Sequence, residues 1–265
     1  MEEDQAQSAD ASADSEQSSR AQSPDSTQVG MTLAGKQFVV TSSSALSTDE
    51  AVHLSKRRLK KEIANRGGIV LETFMAADRD MEMYLIANLH CRTYKYLTAL
   101  ALSVECVSYT WLEACFKKDM VVNHRPYMLH AGVNPLTNEI VRWHPNTDVL
   151  RGRTVVLAGD SEASPSPFFS PKRFVEMWKP LLEVLGARVQ RELPPITRKR
   201  SRSRSSDIID VVITDGTSEA SIMAAKKRNI PITTSDWIIS VLITGRYLEF
   251  DLHPSFRFRE KSRPN

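Results

Sequence analysis

What this sequence lacks narrows it before what it contains. Its 265 residues hold three cysteines, Cys91, Cys106 and Cys115, an odd number without metal-ligand spacing. Two of them fall on apolar faces of predicted elements. The expectation is therefore a reduced intracellular protein that uses thiols as small hydrophobes, with neither metal nor cofactor. No apolar run approaches the ~20 residues of a membrane-spanning helix. The acidic, polar N-terminus lacks the marks of a signal peptide, so no membrane partner is expected. There is no GxGxxG, Walker loop, HExxH or nucleophile elbow, and the six histidines are scattered, which speaks against an enzyme.

Charged residues at 25% and hydrophobic ones at 41% are globular values, and the length suits one large domain or two ordinary ones. Residues 1–30 stand apart. They are rich in Ser, Ala, Gln and Asp and carry a net charge of −6, which leaves +9 on the remainder of a chain that totals +3. Such a tail cannot bury enough apolar surface to order itself and is expected to be disordered.

From residue 36 the pattern becomes regular. Residues 36–41 read as a short buried strand, 42–44 as a polar loop, and 49–66 as a helix with a basic face (Lys56, Arg57, Arg58, Lys60, Lys61). Gly67-Gly68 ends that helix. Residues 69–72 and 84–87 are the next strands. Thr93 then caps a helix with Leu97, Leu100 and Ala101 at helical spacing, 104–108 is a strand, and a second helix opens at Trp111. The order β-α-β-β-α-β-α, with nearly all-apolar strands, predicts a parallel sheet covered on both faces.

The same order returns. Strands are expected at 153–159, 188–191, 209–214 and 230–233, and helices at 172–185, at 218–225 with Ser218 as N-cap, and from Trp237 onward. Pro180 argues for a kink in the first of these helices. Gly186-Ala187 stands where Gly67-Gly68 stood. Between the units, Tyr127, Met128, Leu129, Ile140, Val141 and Trp143 make the connecting segment too apolar for a floppy tether, so it is expected to pack between the repeats.

Charge singles out one stretch. Arg92 and Lys95 sit at the entry and first turn of the Thr93-capped helix, where free N–H groups and the positive dipole end disfavour cations. Either they are solvated, or an anion such as phosphate binds between them and the helix end.

Two β-α-β-β-α-β-α units, each with Gly-Gly or Gly-Ala after the first helix and a Trp opening the last, resemble tandem BRCT domains. Trp111-x-x-x-Cys115 is the family's most recognisable local signature, with Val241 in place of the Cys in the second unit. Residues 90–96, 127–132, 140–145 and 210–215 are similar to BRCT pairs of the p53-binding kind that act at DNA double-strand breaks. The implied division is a disordered tail (1–30), a first BRCT domain (34–120), a linker (121–151), a second BRCT domain (152–258) with a flexible basic loop (194–206), and a disordered C-terminus (259–265).

The resemblance implies a non-enzymatic phosphoserine-peptide scaffold of the DNA damage response in the nucleus, on chromatin at damage sites. Its implied partner is the phosphorylated C-terminal tail of the core-histone variant that marks breaks. Phosphate would be held by the Thr41 hydroxyl, the Ser42 N–H and Lys95. Arg92 would meet the third residue after the phosphoserine or a C-terminal carboxylate. The family often has glycine where Ser42 stands, which bears on the loop's geometry. The second unit has Ala158-Gly159 in that loop and Glu219 at its helix start, with no cation for phosphate. A second implied mode is contact with a folded, p53-like partner through the linker and the inter-repeat surface. An α/β nucleotide-binding enzyme would be a third class, and the phosphate-loop glycines it needs are missing. Residues 197–205, Thr-Arg-Lys-Arg-Ser-Arg-Ser-Arg-Ser, leave an import signal, a nonspecific nucleic-acid contact and a solvated loop all open. No specific DNA readout is expected, since no base-reading motif accompanies either basic stretch.

Overall fold

Alternation along the strands builds two sheets, each buried on both faces. The structure is a computed structural model, and it describes residue 30 and residues 32–42, 56–159, 174–194 and 208–259. The acidic tail, residues 43–55 with the start of the first predicted helix, the 195–207 part of the basic loop and residues 260–265 lie outside the described residues.

In the first repeat β1 (Lys36–Val40), α1 (Lys56–Asn65), β2 (Ile69–Leu71), β3 (Glu82–Ala87), α2 (Tyr94–Ala101), β4 (Glu105–Ser108) and α3 (Tyr109–Lys118) follow in order. The strands form a four-stranded sheet, β2-β1-β3-β4, and every pairing is parallel. Successive side chains of a strand point to opposite faces. Accordingly Phe38 and Val40 pack with Leu59, Ile63 and Trp111, from α1 and α3. Val39, between them, packs on the other face with Tyr96 and Leu100 of α2.

The second repeat follows the same plan with β7 (Thr154–Ala158), α4 (Phe174–Val184), β8 (Arg188–Gln190), β9 (Val211–Thr214), α5 (Glu219–Lys227), β10 (Ile232–Thr233) and α6 (Ser235–Thr244). Its sheet, β10-β9-β7-β8, is again wholly parallel. Helices α1 and α4 end alike. Gly67 and Gly186 take positive φ, and the next amide (Gly68, Ala187) reaches back 3.0 Å to a carbonyl in the last turn (Ile63, Leu182).

Several boundaries and one cap differ from the sequence reading. Helix α3 starts at Tyr109 because the Ser108 hydroxyl accepts the Thr110 N–H. Helix α6 starts at Ser235, two residues before Trp237. Ser218 precedes α5 but caps no N–H, since its hydroxyl donates to Ser221 Oγ at 3.0 Å. Helix α4 is continuous through Pro180, whose ring nitrogen has no proton to give the Glu176 carbonyl.

Helix α2 has two apolar stripes. Tyr96, Ala99 and Leu100 face its own sheet, while Tyr94, Leu97 and Ala101 join the core of the second repeat beside Leu181, Leu182 and Val241 of α4 and α6. The linker seals this seam and forms a small antiparallel hairpin of its own, β5 (Gly132–Val133) with β6 (Ile140–Val141). Gly132 lies so close to Ile243 of α6 that a Cβ would come within 2.9 Å of it. Asn146 ties three segments together. Its side-chain amide donates to Ala101 O of α2 and Val184 O of α4, both at 3.0 Å, and its N–H donates to Ser103 Oγ at 2.9 Å. Replacing Asn146 by Ala orphans two helix-terminal carbonyls. The expected loss is about 1–3 kcal/mol, read as a lower urea midpoint, and an unshifted midpoint would contradict this role.

Candidate functional site

The C-terminal ends of β1 and β3 open onto the first turn of α2. Thr41 follows β1 directly, and its N–H still donates to Ile86 O of β3 at 2.9 Å. Its side chain is buried, with Oγ1 3.1 Å from Oγ1 of Thr93. Thr93 caps α2 by accepting the Tyr96 N–H at 3.3 Å, and Cys91 Sγ lies 3.4 Å from the same hydroxyl. Burial pushes the Cys91 thiol up, so it is protonated at neutral pH and no nucleophile. Ser42 is not among the described residues with positive φ, so serine serves in this loop without a glycine's freedom.

Lys95 lies in the first turn of α2, which holds no acidic residue. Its side chain is 25% exposed and its ammonium sits 3.3 Å from Glu72 Oε2, just past β2. Glu72 also pairs with Lys60 of α1. Those two lysines hold its carboxyl below the ordinary range, the Lys60 hydrogen bond being the larger cause. Lys56, one turn earlier on α1, faces the same space. Its pKa is lowered, first by burial and then by repulsion from Lys95 and Lys60. Among the described residues Lys56 has no carboxylate partner. Two ammonium groups from two helices thus meet on one carboxylate, with Lys56 close by, at a helix N-terminus beside two hydroxyls. That is an arrangement for holding an anion.

Arg92 is exposed, three residues before Lys95. It lines a separate pocket of about 200 Å³ with His90, Cys91, Ala131, Gly132, Val133 and Ile243. This pocket is built from both repeats and the linker hairpin, so it exists only because the seam holds them together. Burial lowers the pKa of His90, with His130 adding to the effect.

The structure therefore sets Thr41, followed by Ser42, against the cap of α2, places Lys95 in that helix's first turn, and puts Arg92 on a separate pocket. Lys56, Lys60 and Glu72 were not singled out from sequence as site residues. The run of basic residues on α1 was the available signal, and nothing in it shows which lysines turn toward α2.

The second repeat has the larger cavity, about 480 Å³, in the corresponding crevice. Its lining includes Ala158, Gly159 and Ser218, and its charges are mixed, with Glu176 and Glu192 opposing Arg191 and Arg228. Arg228 is committed to Pro194 O at 2.7 Å, and Glu219 occupies the first turn of α5. Volume favours this crevice, but the chemistry of an anion site is in the first repeat.

Two family models divide the chain between the repeats. Residues 14–129 match the BRCT domain of regulator of Ty1 transposition protein 107, and residues 167–261 match a BRCA1 C-terminus (BRCT) domain. The chain carries two BRCT domains in tandem. BRCT families are generally phosphopeptide-binding modules rather than enzymes. Among solved structures, the BRCT5–BRCT6 pair of S. pombe Brc1 is 16% identical with a TM-score of 0.48, covering 83% of this chain and 95% of that one. Rtt107p, solved as a complex with a phosphorylated histone, is 14% identical with a TM-score of 0.48, covering 85% and 93%. Rad4 BRCT1,2, solved with a Crb2 phosphopeptide, is 15% identical with a TM-score of 0.31, covering 86% and 100%.

Proposed function

We propose that this BRCT pair is a non-enzymatic scaffold of the DNA damage response that binds a phosphoserine peptide. The phosphate lies on Thr41, Ser42 and Lys95 of the first repeat. The ligand is the phosphorylated C-terminal tail of the core-histone variant that marks double-strand breaks, read in the nucleus on chromatin. Residues 34–120 supply the phosphate site and 152–258 support it across the 121–151 linker. One observation carries this reading: the Lys60 and Lys95 ammonium groups share a single carboxylate, with Lys56 near enough to feel both, by the partly buried Thr41–Thr93 hydroxyl pair. An anion bound there relieves the crowding, and a helix N-terminus without acidic residues favours it. The family's general use as phosphopeptide modules supports the same reading.

Amide shift mapping tests it. Adding the phosphopeptide should move the Thr41, Ser42, Arg92 and Lys95 resonances together, while shifts confined to the linker would contradict it. Arg92 gives a finer check. Arg92→Ala should weaken a peptide with a free C-terminal carboxylate by about tenfold, the loss of one charge-assisted contact. The same peptide as a C-terminal amide should bind wild type and variant alike. Equal losses for both would remove the carboxylate from the Arg92 pocket.

A second reading, contact with a folded p53-like partner, has one observation in its favour. The linker hairpin carries Ile140 at 58% and Leu136 at 38% exposure, beside the inter-repeat seam. Ile140→Asp should abolish capture of such a partner and leave phosphopeptide affinity intact.

A further inference from the structure

We infer that Glu72 is a resident counter-ion that makes the site select a doubly charged phosphate over a carboxylate, with Lys56 as the cation left for the phosphate. The inference rests on the phosphopeptide reading and goes beyond it to the class of anion admitted. Without ligand, the cluster already holds one carboxylate: Glu72 accepts from Lys60 and, at 3.3 Å, from Lys95. An aspartate or glutamate of an acidic peptide would offer these lysines what Glu72 offers them already, and would have to displace it to do so. A phosphoserine brings a charge of about −1.5 to −2 and three acceptor oxygens. It can satisfy Lys95 together with Lys56, which has no carboxylate of its own among the described residues. A carboxylate can bridge two lysines, as Glu72 does, but it spreads a single charge between them.

Two features suit Glu72 to this exchange. Its side chain is 73% exposed, so its ion pairs are screened and readily given up. It also sits at the end of a three-residue edge strand, free to swing toward solvent while Lys60 keeps its hold on it. Lys56 is the opposite case: its side chain is partly buried, and that burial, followed by repulsion from Lys95 and Lys60, disfavours its charge.

The test is a fluorescence-anisotropy titration of wild type, Glu72→Gln and Lys56→Met with one peptide in three forms, bearing serine, phosphoserine or aspartate at the same position. Wild type should bind the phosphoserine form and bind the aspartate form at least about a hundredfold less well. Glu72→Gln should bind phosphoserine as well as or better than wild type and gain about tenfold for aspartate, so the ratio narrows. Lys56→Met should lose about tenfold for phosphoserine. A loss of phosphoserine affinity in Glu72→Gln would make Glu72 a support for Lys95 and overturn the inference. So would an unchanged phosphoserine-to-aspartate ratio, or full affinity in Lys56→Met. If wild type fails to prefer phosphoserine over serine, the phosphopeptide reading falls as well, which separates the two failures.

Discussion

Replacing Lys95 by Met should weaken phosphoserine-peptide binding tenfold to a hundredfold and leave the protein folded. A hydrogen bond to a charged group contributes about 1.5–3 kcal/mol, and each 1.4 kcal/mol is a factor of ten. Lys95 is the cation that α2 itself presents beside the Thr41–Thr93 hydroxyls, on a side chain already three-quarters withdrawn from solvent. The fold should tolerate the change because two small effects oppose each other. The variant gives up an ion pair to a mostly exposed Glu72, worth about 0–1 kcal/mol. It also removes a cation from the positive end of a helix, where that charge costs about 0.3–1 kcal/mol. Thr41→Ala should have the smaller effect, since one neutral donor is lost. A Lys95→Met protein that binds the phosphopeptide as wild type does would dismiss the anion site and leave the folded-partner reading.

Trp111→Ala should cost about 3–5 kcal/mol, the largest loss of stability expected from a single change. The indole is fully buried between Phe38 and Tyr84, at ring-centroid distances of 6.3 and 4.9 Å, and its N–H donates to Val122 O at 2.8 Å. Trp237 does the same in the second repeat, reaching eleven residues onward to Leu248 O at 2.8 Å. Each indole thus fills a core and ties down the chain that leaves its last helix. Against a total stability of about 5–15 kcal/mol, this loss should shift the urea midpoint of the first repeat far downward. Trp111→Phe separates the two roles. It keeps most of the burial and leaves the Val122 carbonyl unpaired, at about 1–3 kcal/mol. If the Ala and Phe variants unfold at the same midpoint, packing of the indole is not what holds this core.

Both sheets were legible in the sequence because their signals are local. Short apolar strands, Gly67-Gly68 and Gly186-Ala187 after the first helices, and Thr93 as an N-cap each act within a few residues. The repeat then fixed which elements correspond. The seam between the repeats is carried by Tyr94, Leu97 and Ala101 of α2, packed against α4 and α6.

The anion cluster was only half legible. Arg92 and Lys95 could be singled out because cations are wrong for the start of a helix. Glu72 lies 23 residues from Lys95 and 12 from Lys60, so only the β1–β2 pairing and the packing of α1 bring the three together. The basic face of α1 divides in the fold. Arg57 and Lys61 are exposed, whereas Lys60 reaches Glu72 and Lys56 lies near Lys95 of α2, and composition cannot tell them apart. Ser218 misled because an N-cap residue type does not guarantee a cap: Ser221 competes for its hydroxyl. The linker hairpin left no sequence signal, since two-residue strands are too short to show a period.

The central claim is that the first repeat holds a phosphate. Its most direct test is a calorimetric titration of the full chain with the C-terminal tail peptide of the break-marking histone variant, once phosphorylated and once not. The phosphorylated peptide should bind saturably, at least about a hundredfold tighter than the unphosphorylated one. Equal affinity for the two peptides would contradict it.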